Sequence, residues 1–142
     1  KTVNLTSMQK RQITSRVVDG NYDNIFKSTM TILQDNEYII KETNKDTGLI
    51  SAEVNREANI WTKALSTNKY GVSSSAGTKV EISATVDKLN NDSSEVRLTI
   101  QEKTYSSNGG TTKVVPNYDV KTYATLFNSL KTEVKRREAF GR

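Results

Sequence analysis

Residues 11–54, RQITSRVVDGNYDNIFKSTMTILQDNEYIIKETNKDTGLISAEV, read as one complete folding unit. Arg11 to Val18 form an extended run, and Asp19-Gly20-Asn21 breaks it. Tyr22, Ile25, Phe26, Thr29, Met30 and Leu33 then recur at the spacing of one helical stripe, with Ile32 beside it to widen the apolar face. Asp19 or Asn21 is placed to cap the first turn, Asp23 suits the positive end of the helix dipole, and Asp35-Asn36 closes the segment. Tyr38-Ile39-Ile40 supplies a strand. Asn44-Lys45-Asp46-Thr47-Gly48 has the residue types of a tight connection, and Leu49, Ile50, Ala52 and Val54 carry a second strand away from it. The order is strand, helix, strand, turn, strand.

Further along, Val80, Ile82, Ala84 and Val86 alternate with polar residues. After the polar stretch NNDSS, Val96, Leu98 and Ile100 do the same. Period-two alternation puts one face on a core and the other in water, the mark of an antiparallel hairpin. Ser66 to Gly77 is rich in Ser and Gly and reads as a loop. Ser106 to Asn117, with Gly109-Gly110 and Pro116, reads as another. From Tyr118, the residues Val120, Tyr123, Ala124, Phe127, Leu130 and Val134 form the stripe of a closing helix. Lys131, Lys135, Arg136 and Arg137 crowd its last turns, where cations suit the dipole.

The expected fold is α+β: a single antiparallel β-sheet with two α-helices packed on one face, in the order β-α-β-β-β-β-α. Residues 1–9 are expected to form a flexible polar leader, and 10–140 a single domain. A chain of 142 residues is long enough to build one core without covalent staples. The start at Lys1 reads either as a mature protein whose signal sequence is missing or as a boundary inside a longer protein.

Composition removes several classes of chemistry. There is no cysteine and no histidine, which excludes thiolate nucleophiles, thiolate metal sites and any Ser-His-Asp arrangement. The carboxylates Asp19, Asp23, Asp35, Asp46, Asp87, Asp92 and Asp119 fall mostly where caps and turns need them. Neither Gly-containing loop has the spacing of a phosphate cradle. No cofactor, no metal and no catalytic residue are expected.

What remains is surface. Trp61 and Tyr70 flank the Ser-rich stretch and are candidates for a partner surface, although aromatics more often pack over a sheet edge. Lys131, Lys135, Arg136 and Arg137 are the densest basic run, and the net charge of +5 makes an anionic partner compatible. A solvated helix end diluted by Glu133 and Glu138 is the plainer account of that run.

Several pieces of the unit carry a resemblance. They are Arg16 in the first strand, the helix Tyr22 to Gln34, the link Asp35-Asn36-Glu37-Tyr38, and the hairpin Lys45-Asp46-Thr47-Gly48-Leu49-Ile50. With a closing helix over Tyr118 to Arg137, this pattern resembles small bacterial envelope lipoproteins and the helix-grip-like domains of the BamC family. Glu37 stands where that pattern frequently has glycine. The resemblance implies a non-enzymatic, periplasm-facing domain, lipid-anchored to the outer membrane through a cysteine upstream of Lys1. Its implied role is to bind or scaffold other envelope proteins. Two alternatives stand beside it: a carrier of a small molecule or lipid in a cavity between helix and sheet, and a weak nucleic-acid-binding module through the basic C-terminal helix.

Overall fold

The computed structural model describes residues 4–56, 75–106 and 110–140. Three helices are described, α1 (Ser7–Thr14), α2 (Tyr22–Asp35) and α3 (Val120–Phe140). The strands are β1 (Ser15–Asp19), β2 (Ile39–Asn44), β3 (Leu49–Arg56), β4 (Ser75–Asn90), β5 (Ser93–Ser106) and β6 (Thr111–Asn117). All pairings are antiparallel in one sheet of order β1-β5-β4-β3-β2, with β6 also on β5. This is the expected α+β architecture with one more helix and one more strand.

Both additions correct the sequence reading. The extended run expected from Arg11 is helical as far as Thr14, so the leader drawn to Gln9 gives way to helix at Ser7. A reciprocal capping box starts α1. The Gln9 amide donates to the Thr6 hydroxyl (3.1 Å) and the Thr6 amide to the Gln9 side chain (2.9 Å). Arg16 ends it, its guanidinium donating to the carbonyls of Gln12 (2.6 Å) and Ile13 (3.2 Å) while lying 4.9 Å over the Phe127 ring. These local bonds outweigh the modest strand preference of the β-branched residues that follow. The stretch read as a loop from Ser106 to Asn117 holds β6, which tolerates Pro116 because it is an edge strand needing donors on one side only. Ser75 to Gly77, assigned to the Ser-rich loop, begins β4.

The register explains the core. Even-numbered residues of β3, β4 and β5 face the helices: Ile50, Ala52, Val80, Ile82, Ala84, Val86, Val96, Leu98 and Ile100 are all buried. Ile25, Phe26, Ile32 and Leu33 of α2, with Tyr123, Phe127, Leu130 and Val134 of α3, fill the other side of that seam. Each such side chain contributes roughly 1.5–3 kcal/mol of burial. Ile32, beside the main stripe in sequence, is 3% exposed.

α2 and α3 run antiparallel, and at one end they are locked. Glu138 near the end of α3 accepts from the Asn21 amide (3.2 Å) and from the Asn24 side chain, adding a carboxylate to the N-terminus of α2. Gly20 (φ 141°) lets the chain pass there; a Cβ on it would meet Val134 Cγ1 at 2.6 Å. The β2–β3 turn presses onto β4. The Val86 amide donates to the Gly48 carbonyl (2.8 Å), and the Tyr22 hydroxyl donates to the Lys45 carbonyl (2.6 Å). Gly48 has φ 81°, and a Cβ there would overlap the Val86 carbonyl oxygen.

β1 and β6 share one border of β5, β1 against residues 93–97 and β6 against 100–105. Tyr123 closes the seam between them. Its hydroxyl accepts from the Ile100 amide (3.1 Å) and donates to the Asn117 carbonyl (2.7 Å). Burial pushes its pKa up to about 12.

Candidate binding groove

β4 and β5 are longer than the helical layer that covers them. At the end opposite the locked one, β4 and β5 continue beyond the buried Val80 and Ile100 to Thr78 and Glu102, the next positions in the same phase. Tyr38 forms the neighbouring wall. It is placed there by the end of α2, where the Tyr38 amide donates to the Leu33 carbonyl (3.0 Å) and the Glu37 amide to Gln34 (2.9 Å), with Glu37 left-handed at φ 70°. Thr122 forms the opposite wall. Its amide (3.1 Å) and hydroxyl (2.6 Å) both donate to Asp119, which caps α3, and these bonds hold the Asp119 carboxyl below its ordinary pKa.

Tyr38, Thr78, Val80, Ile100, Glu102, Asn117 and Thr122 line a cavity of about 400 Å³, within the size range of ligand sites. A second hollow of about 310 Å³, lined by Asn36, Tyr38, Lys121, Thr122, Thr125 and Leu126, meets it across Tyr38 and Thr122. The floor is aromatic and aliphatic, the walls carry neutral hydrogen-bonding groups, and Glu102 is the one ionisable carboxylate of the larger cavity. Glu102 is exposed, and its side chain makes no hydrogen bond or ion pair with a described residue.

The basic candidates lie elsewhere. Lys131 and Lys135 are exposed on α3. Arg136 donates to Glu133 through Nε (3.1 Å) and Nη2 (2.6 Å). Arg137 donates to Glu133 (3.1 Å) and reaches across to the Thr31 hydroxyl (2.9 Å). Those hydrogen bonds, that of Arg136 foremost, hold the Glu133 carboxyl below its ordinary pKa. Half of the basic run is therefore paired with Glu133 of its own helix, and Arg137 alone also reaches α2. Trp61 and Tyr70 lie outside the described residues.

Among the described residues no group of three or more acidic side chains is arranged to hold a metal ion, and no helix is long and apolar enough to cross a membrane. No family model matches the chain, and no curated protein matches it.

The groove residues come from several elements, so no local motif announces them. One signal was available in the sequence. The alternation that turns Val96, Leu98 and Ile100 inward continues to Glu102, placing a carboxylate in core phase.

Proposed function

We propose that this chain is a non-enzymatic docking domain that binds or scaffolds another protein of the bacterial cell envelope, and that the groove beside Tyr38 is where the partner docks. The groove itself carries the reading. It is lined by the edges of the largely buried Tyr38, Val80 and Ile100 and ringed by hydrogen-bonding groups at Thr78, Asn117 and Thr122. An apolar floor with a polar rim suits insertion of a partner's side chains. The periplasmic, lipid-anchored setting rests on the resemblance of Arg16, α2 and the Asp46–Gly48 hairpin to envelope lipoproteins. A full-length gene product without a signal sequence and lipidated cysteine would remove that setting.

Site-specific photo-crosslinking tests the docking reading. A photoreactive residue at Thr78, in the groove, is compared in living cells with one at Ser83, exposed on the other side of β4. One envelope protein is expected to cross-link from position 78 and not from 83. Equal capture from both positions, or none from 78, overturns it.

A further inference from the structure

β1 and β6 do not meet along β5. β1 starts opposite Arg97 and β6 ends opposite Ile100, which leaves a gap between them on that border. α1 leads into β1 and packs against β1, β5 and α3. A recess of about 130 Å³ opens where they come together. Ser7, Lys10 and Thr14 of α1, Arg97 and Thr99 of β5, and Tyr118 ahead of α3 line it.

Exposure gives neither cation of this recess a need for a partner, since Arg97 is exposed and Lys10 half-buried. Their placement is what counts. The Lys10 ammonium lies 5.3 Å over the Tyr118 ring, and Arg97 comes from the neighbouring strand. Two like charges from separate elements thus border one small concavity, and no carboxylate lines it. Elsewhere on the same side of the sheet cations are matched, Lys79 with Glu53 (3.7 Å) and Lys103 with Glu81 (3.0 Å). Lys10 and Arg97 form no ion pair with a described residue, and the hydroxyls of Ser7, Thr99 and Tyr118 make no hydrogen bond with one. The base is fixed: Thr14 is 3% exposed, and its hydroxyl donates to the Lys10 carbonyl (2.9 Å). The first turn of α1 carries no acidic residue, so the positive end of its dipole adds to the field.

We infer that this recess binds a phosphate group, as a free ion or as the monoester headgroup of a lipid. Cations that share a site repel, and an anion between them turns that repulsion into attraction. A carboxylate has only two oxygens. A guanidinium fork, an ammonium and three hydroxyls offer more donors than that, and a tetrahedral oxyanion uses them. The recess is separate from the groove, and its test is independent of the docking reading.

The isotope-labelled chain is titrated by NMR with phosphate and, at matched ionic strength, with acetate. Phosphate is expected to give saturating shifts at Ser7, Lys10, Thr99 and Tyr118, with acetate at least about tenfold weaker. Arg97→Gln and Lys10→Gln should each weaken phosphate by about tenfold or more, their spectra otherwise reporting an intact fold. Lys131→Gln, on the exposed side of α3, should leave it unchanged. Flotation with phosphatidylcholine vesicles carrying phosphatidic acid, or phosphatidylglycerol at equal surface charge, separates the two sources. A preference for phosphatidic acid that Arg97→Gln removes assigns the recess to a headgroup; phosphate binding without that preference assigns it to the free ion. Binding to neither, shifts spread over the basic end of α3, or affinities insensitive to both Arg97→Gln and Lys10→Gln overturn the inference.

Discussion

The two ends of the helical layer are built on opposite terms. At the end holding the N-terminus of α2, polar groups find partners inside the chain: Glu138 on Asn21 and Asn24, Tyr22 on the Lys45 carbonyl, Val86 on the Gly48 carbonyl. Packing is so close there that glycine is required at two positions, Gly20 against the Val134 side chain and Gly48 against the Val86 backbone. At the other end a left-handed Glu37 precedes Tyr38, and the exposed Glu102 side chain makes no hydrogen bond or ion pair with a described residue.

Substitutions can break or sharpen that contrast. The largest effect is expected from Gly48→Ala at the locked end. The left-handed backbone and the overlap with the Val86 carbonyl together should cost roughly 2–5 kcal/mol, read by urea denaturation. Next is Tyr123→Phe, under the sheet between the two ends. It strands the Ile100 amide and should cost about 1–3 kcal/mol. The same substitution has a pH signature. The fold keeps the Tyr123 proton up to about pH 12, while an unfolded tyrosine loses it near 10. Its contribution is thus full below about pH 10 and is lost as pH rises to about 12. Alkaline melts of the phenylalanine variant should lack that part of the decline.

At the open end the sign reverses. Glu37→Gly relieves a left-handed residue and should stabilise the chain by about 1 kcal/mol, raising the melting temperature without moving groove resonances. The smallest change is expected for Glu102→Gln, within about 0.5 kcal/mol by the same denaturation assay, because the side chain is exposed and no described residue pairs with its charge. A large loss there would erase the distinction between the two ends.

The same contrast describes what the sequence made legible. α2 could be read because its stripe is local, and the β4–β5 hairpin because Val80 to Ile100 keep strict alternation. The Asp46-Thr47-Gly48 turn announced itself through residues whose backbone preferences are their own. α1 escaped because Thr6 and Gln9 signal a helix start only as a pair, and the β-branched residues after them argue for a strand. β6 escaped because Pro116 and two glycines read as loop wherever the neighbouring strand is not known. The groove was the least visible feature, since Tyr38, Glu102 and Thr122 meet only after the sheet has closed. Glu37 holds a left-handed backbone conformation that favours glycine, which no local residue pattern signalled.

The divided border of β5 has a bearing on colloidal behaviour. β1 contributes five residues and β6 seven, while the opposite border, β2, has six residues and an irregular register near Lys41. Among the described residues neither flank offers a neighbouring copy a long straight row of unpaired backbone groups of the kind on which fibres grow. A crowded population of these chains is thereby kept from adding strand to strand.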